Sequence, residues 1–249
     1  MKWKELKFLI VLFLVLAFIF FYFASKEQMP YSQAKKEMNQ LKSQYVETKQ
    51  KDVKKDEVEE ASTYEIDFAG LQTINQEIIA WIRIPGTSID YPVLRSGDSE
   101  YYLYHNYQKE VDVVGSIFMD ARNSPEFVNA HTIIYGHNMI TTQMFSELPN
   151  YADASYLMKR RIIEVYQPGL YREYEIISAY ETSVEAADYQ VLFESQEEWE
   201  TWLKTSFKRK EDSEKVLTLS TCTNAGGVRE RFVVHAKLIR EERTENRGF

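Results

Sequence analysis

The sequence predicts a mainly β domain, a barrel or a sandwich, carried behind an N-terminal apolar segment. Short strand-like runs recur from the Trp81 region to Ile239, separated by turn-forming residues. Hydrophobic residues make up 44% of the chain and aromatics 14%, while Gly (9) and Pro (6) are sparse, which excludes collagen-like and wholly disordered chains. The length of 249 residues suits one well-buried domain with accessories, since domains typically hold about 100 to 200 residues.

The apolar segment comes first. Residues 8–24, FLIVLFLVLAFIFFYFA, are seventeen apolar or aromatic residues without a charge or a helix breaker, close to the roughly 20 needed to span hydrocarbon. Lys7 and Lys26 flank it, placed to snorkel. The sequence after it offers only a weak cleavage site, which favours an uncleaved signal anchor. Lys2, Lys4 and Lys7 precede the span, so the positive-inside tendency puts the N-terminus in the cytoplasm and the rest outside. Residues 26–62 are rich in Lys, Glu and Gln. Met38, Leu41 and Tyr45 recur there at helical spacing, whereas the run KQKDVKKDEVEE has no apolar stripe. This stretch reads as a solvated stalk, helical or a flexible tether, that holds the domain off the bilayer.

Phe68, Leu71, Ile74 and Ile78 then suggest a short helix, and WIRIPGTSIDYPVL gives two β runs broken at Pro85-Gly86. Ile89, Tyr91 and Val93 alternate as a half-buried strand would. Further strands are expected at 116–119, 131–135, 161–166, 170–183, 215–222 and 231–239. Two helices interrupt them. Thr141 is placed to cap TTQMFSEL, and Ser195 with Glu198 forms a capping-box pattern ahead of Trp199, Trp202, Leu203 and Phe207. Those tryptophans read as core.

A formal charge of −8 makes nucleic acid a poor partner. Cys222 is the sole cysteine, so no intramolecular disulfide is possible, and the four histidines lack zinc-site spacing; no metal and no cofactor are expected. In an extended VLTLSTC run, Leu217 and Leu219 share one face while Thr218, Ser220 and Cys222 share the other. If this strand pairs with RFVVHAKLI as a hairpin, Cys222 and Arg231 emerge together, and an arginine beside a cysteine favours the nucleophilic thiolate. The bland reading of a strand-end cysteine is a small buried hydrophobe. Acyl transfer by a thiolate also needs a proton shuttle. His137, which follows the strand TIIY in YGHNM, is the best candidate, with His105, His131 and His235 read as structural.

These residues add up to a resemblance. WIRIPGTSIDYPVL, GSIFMD, HTIIYGHNM with MFSELPNY, and TLSTC with RFVVHAKL resemble, in order, the class B sortases, membrane-anchored cysteine transpeptidases of Gram-positive bacteria. The resemblance implies an eight-stranded sortase-type β-barrel with N-terminal helices and a helix in the insertion before the cysteine strand. It implies Cys222 as nucleophile, His137 as acid and base, and Arg231 as the arginine that hydrogen-bonds the substrate backbone or the oxyanion; Arg229 is a rival for that last role. Ser220, Tyr189 and Leu103 correspond to substrate-contacting positions. Where some class B members have an acidic residue after the cysteine and an Asn before the Tyr-Leu pair, this chain has Thr223 and, approximately, Ser99.

The organisation that follows is a cytoplasmic tail at 1–7, a single-pass transmembrane signal anchor at 8–25, a polar, partly helical stalk at 26–63 and an extracellular catalytic domain at 64–249. The implied activity cleaves a C-terminal sorting motif of secreted proteins, NPxTN-like or other. The acyl group then passes to an amine of the peptidoglycan precursor lipid II, or to a pilin lysine. Two other readings compete: a simple cysteine endopeptidase, and a membrane-tethered binding module whose cysteine is structural.

Overall fold

The computed structural model describes residues 3–50, 62–139, 141–207, 213–222 and 229–244. Its first element is the helix α1 (Trp3–Tyr45), whose N-terminal part is exposed, and is long and apolar enough to cross a membrane. Past this part, Tyr31, Ala34, Met38, Leu41 and Tyr45 follow one another at alternating three- and four-residue steps and pack against the folded body. The thin apolar stripe seen in the sequence is thus a docking face, and it begins one and two turns earlier than Met38. After it, β1 (Val46–Gln50) pairs antiparallel with β2 (Ser62–Ile66). Most of the charged run KQKDVKKDEVEE lies outside the described residues.

The body is a closed barrel of eight strands, as the resemblance implies. In chain order these are β3 (Ile78–Arg83), β4 (Asp90–Leu94), β5 (Ile117–Met119), β6 (His131–Tyr135), β7 (Ile162–Gln167), β8 (Leu170–Ser183), β9 (Val216–Cys222) and β10 (Glu230–Arg243). Around the barrel they run β10-β8-β7-β3-β4-β5-β6-β9, with β9 paired back to β10. The β4–β5 and β6–β9 pairs are parallel and the rest are antiparallel. Period-2 side chains fill the interior, where Ala80, Ile82, Val93, Ile134, Val165, Leu217, Leu219, Val234 and Ala236 are buried.

The outer face is also covered. α1 and α2 (Phe68–Ile74) lie over β3 and β4, and Leu41, Phe68, Leu71, Trp81, Leu94 and Tyr102 form a second apolar cluster there. This explains why β4 is buried from Tyr91 to Leu94 instead of alternating as a half-exposed strand. Asp90 pins this layer: its carboxylate accepts from Trp81 Nε1 at 2.7 Å, from the Tyr64 hydroxyl at 3.0 Å and from Lys42. A third cluster forms under α4 (Gln196–Phe207), where Trp199, Trp202, Leu203 and Phe207 are buried, as their spacing predicted. The Glu198 N–H donates to Ser195 Oγ, while the Glu198 carboxylate takes the Glu194 N–H. The second arm of the capping box is therefore made one residue upstream.

Two expected helices change. Ile78 opens β3 rather than closing the first helix, because Asn75 ends α2, donating its N–H to the Leu71 carbonyl and accepting from Glu77 N and Ile78 N. The segment following Thr141 is no helix: Asn138 bridges to Met144, Phe145 N–H donates to the His137 carbonyl, and Thr142 and Met144 hold positive φ. The local cap and spacing signal yields there to a fold-back of the chain beside the end of β6. Only then come a 3-10 turn (Leu148–Ala152) and the short α3 (Ala154–Lys159).

Candidate active site

The parallel β6–β9 ladder brings the candidate residues to one end of the barrel. Ile134 faces Leu219 and Tyr135 faces Ser220, and the Gly136 N–H donates to the Ser220 carbonyl at 3.1 Å. Continued by two further steps, that register sets His137 level with Cys222. On its other side β9 is antiparallel to β10, and Cys222 is the Cα partner of Arg231. Three residues distant in sequence thus occupy neighbouring strand ends: His137 past β6, Cys222 ending β9 and Arg231 near the start of β10.

Gly136 is required by packing. A Cβ there would lie 2.4 Å from Ile117 Cδ1 and 2.8 Å from the Phe145 ring, so the chain turns tightly over the core before releasing His137. The imidazole is then held by the backbone of the 3-10 turn Tyr101–Leu103, with Nε2 2.7 Å from the Leu103 carbonyl. Leu103, expected as a groove residue, meets His137 through its main chain.

Ser220 is buried, and its Oγ lies 2.9 Å from the Tyr189 hydroxyl. Tyr189 sits in the 3-10 turn Ala187–Tyr189, and its ring is stacked on Tyr135 at a centroid distance of 6.3 Å. Tyr189, stacked on Tyr135, and the Leu103 turn, bonded to His137, therefore both meet the chain at the end of β6. Asp120, beneath Tyr135, accepts from its hydroxyl at 2.8 Å and from Arg122 in a bidentate pair. Burial opposes the charge on Asp120, but the Arg122 and Tyr135 hydrogen bonds outweigh it and lower the pKa; burial and that charge push the Tyr135 phenol well up.

The two arginines differ. Arg229 is largely exposed and ion-paired with Glu185, just past the end of β8, whereas Arg231 is half-buried at the register position of Cys222, with Nη1 on the Glu230 carbonyl. Ser99 Oγ accepts from the Ala121 N–H, a loop-fixing role, and Thr223 lies outside the described residues. Among the described residues there is no group of three or more His, Cys, Asp or Glu placed to hold a metal.

The Leu103 carbonyl escaped sequence reasoning because no residue pattern marks a backbone acceptor. A second set, Asp188, His235, Thr218 and His131, lies buried beneath the Tyr189 turn. Its signal was present: His131, Thr218 and His235 all occupy outward parity on adjacent strands, an unusual amount of polarity for a covered face.

Known proteins share this fold. The sortase domain family matches residues 82–239. Sortase B of Listeria monocytogenes is 37% identical over 183 residues, covering 70% of this chain and 74% of the relative. Among solved structures, Bacillus anthracis sortase B in complex with AAEK1 superposes with a TM-score of 0.69 at 31% identity, covering 85% of this chain and 99% of that one. The Staphylococcus aureus sortase B–substrate complex gives 0.65 at 32% identity, with 70% and 84% covered. With the barrel, the β6–β9 ladder and these likenesses all in agreement, the chain belongs to the sortase family, class B, and is a cysteine transpeptidase of the kind that anchors proteins to the cell wall.

Proposed function

We propose that Cys222 is the nucleophile, His137 the acid and base, and Arg231 the electrophilic partner. The reading rests above all on the ladder that sets these three strand ends side by side. The Cys222 thiolate attacks the carbonyl carbon of the scissile peptide bond in a sorting motif. Arg231 donates hydrogen bonds to the developing oxyanion or to the adjacent substrate backbone. His137 gives its proton to the departing amine, and the acyl group remains on Cys222 as a thioester. An incoming amine surrenders a proton to His137 and attacks the thioester, which releases the thiolate and restores both groups. Ser220 and Tyr189 line the groove that holds the motif, with the Leu103 turn as its other wall.

The donor is a secreted protein with a C-terminal sorting signal. S. aureus sortase B has been solved with its substrate, and the likeness to that structure supports the same substrate class here. The acceptor is an amine of the peptidoglycan precursor lipid II, with a pilin lysine as the lesser alternative. The exposed apolar part of α1 supports a membrane anchor at 8–25, with a cytoplasmic tail at 1–7 and the catalytic domain of residues 64–249 on the outer surface, beside a lipid-linked acceptor. Residues 26–63 join the two, their first half seated on the barrel.

The test is mass spectrometry of products formed by the full chain in detergent from a panel of sorting-motif peptides and an amine such as triglycine. An amine-capped peptide that disappears with Cys222→Ala is expected. Hydrolysis alone with every wall-type amine would turn the reading into that of a cysteine endopeptidase.

A further inference from the structure

Beneath the Tyr189 turn, β6, β9, β10 and β8 send polar side chains into one covered line. His131, Thr218 and His235 are fully buried and Asp188 is 6% exposed. His131 Nδ1 lies 2.6 Å from the Gln190 carbonyl and His131 Nε2 lies 2.6 Å from Thr218 Oγ1. Thr218 Oγ1 is 2.7 Å from His235 Nδ1, and His235 Nε2 is 3.3 Å from Asp188 Oδ1 and 3.1 Å from the Tyr180 hydroxyl oxygen. Asp188 also accepts from the Tyr180 and Thr182 hydroxyls, each at 2.6 Å. Trp202 covers the line, its ring 4.3 Å from that of His131 and its Nε1 donating to the Ala187 carbonyl. Phe207 packs over His235.

The protons in this line can be counted. A carbonyl only accepts, so His131 Nδ1 carries a proton, and a buried neutral His131 therefore accepts at Nε2. The Thr218 hydroxyl proton is spent there, so its oxygen accepts from His235 Nδ1. The Tyr180 proton is spent on Asp188, and His235 Nε2 faces the same carboxylate at 3.3 Å. Burial would raise the Asp188 pKa, but the donors from His235, Thr182 and Tyr180 outweigh it and hold the carboxyl far below its ordinary range.

Both ends of the line tie down one short segment. Asp188 lies within the turn Ala187–Tyr189 and the His131 bond closes on Gln190, so Tyr189 is clamped from both sides. We propose that Asp188, held by the Tyr180 and Thr182 hydroxyls and facing His235, is a positioning residue for transpeptidation: it fixes the turn that brings the Tyr189 hydroxyl to Ser220 in the substrate groove. This rests on the reading above that Tyr189 and Ser220 contact the sorting peptide. A buried polar network contributes little net stability compared with an apolar replacement, so its value here is in placing the turn.

The test compares Asp188→Asn, Thr182→Val, Tyr189→Phe and the double variant Asp188→Asn/Tyr189→Phe in the full chain in detergent. Steady-state kinetics use a sorting-motif peptide and triglycine, and iodoacetamide alkylation of Cys222 reports on the intact site. Tyr189→Phe should raise KM about fivefold, the value of roughly one hydrogen bond. Asp188→Asn should raise KM by about tenfold with little change in kcat or alkylation rate, and the gentler Thr182→Val should move KM the same way by about twofold. Because the two residues act on one contact, the double variant should match Asp188→Asn alone within about twofold. Multiplying penalties in the double variant would overturn the inference. So would an unchanged KM in both Asp188→Asn and Thr182→Val beside a raised KM in Tyr189→Phe, and that pattern leaves the groove reading standing. An unchanged KM in Tyr189→Phe overturns the groove reading and the inference with it.

Discussion

His137 donates from Nε2 to the backbone carbonyl oxygen of Leu103, 2.7 Å away. Since a carbonyl oxygen can only accept, Nε2 keeps its proton, and the neutral ring presents its lone pair at Nδ1. The Leu103 turn therefore selects the tautomer as well as the orientation of the proposed base.

Gly115 lies directly behind that carbonyl. It holds φ +62°, and a Cβ would stand 2.6 Å from the Leu103 oxygen. Gly115→Ala should displace the acceptor and lower kcat by about tenfold or more, as expected when a catalytic group loses its orientation. Gly169→Ala, at φ +71° in the β7–β8 turn, supplies the same backbone strain away from the site and should leave kcat near wild type. Equal kcat values for the two variants would refute the link.

The arginine pair separates by kinetics. Arg231 is the cross-strand partner of Cys222, while Arg229 is engaged with Glu185 in solvent. Arg231→Ala should cost about 10²–10³ in kcat/KM, the range for losing an oxyanion donor, and Arg231→Lys should recover only part of it because a point charge lacks the planar fork. Arg229→Ala should stay within about threefold of wild type, as an exposed ion pair contributes little. The reverse order of the two alanine variants would reassign the role to Arg229.

Acid should destabilise the fold through His131. Burial lowers its pKa from 6.5 to about 3. The unfolded chain takes up a proton below pH 6.5 that the folded chain refuses, so this contribution is complete above pH 6.5 and is lost as pH falls toward 3. Between pH 6.5 and 5 the loss is about 2 kcal/mol, or several degrees in Tm. Asp188, whose pKa is also depressed, adds a slope of the same sign only below its ordinary value of 3.8. His131→Gln should flatten the Tm profile between pH 6.5 and 5; a profile as steep as wild type would point to another group.

Docking of α1 should matter for stability. Leu41 is 3% exposed among Phe68, Leu71 and Trp81. Leu41→Ala should cost about 2–5 kcal/mol, read by chemical denaturation, whereas Gln40→Ala on the exposed side should cost almost nothing. Equal midpoints would mean that the helix is not part of the cooperative unit.

Much of this was legible in the sequence because period-2 burial and strand parity are local properties. The His131, Cys222 and Arg231 strands emerged near their observed limits, and parity correctly paired Cys222 with Arg231. The resemblance supplied what parity lacks, the closure of eight strands, while the parallel pairing of β6 with β9 is visible only in the structure. Failures came where tertiary contacts overrode local preference. Thr141 and the apolar residues after it looked helical but fold back along β6 through the Asn138–Met144 bridge. The stripe on α1 looked too thin to bury, yet its partners are contributed by Phe68, Trp81 and Tyr102, which are remote in sequence. Asp188 was hidden for the same reason, since its approach to His235 needs β8, β10 and the turn before α4 to meet.

A parallel ladder such as β6–β9 cannot start from a hairpin; it forms only after the long crossover between the strands has been laid down. Cys222 and His137 are therefore brought level only when β9 slots between β6 and β10, so the proposed nucleophile and base meet only in the finished barrel.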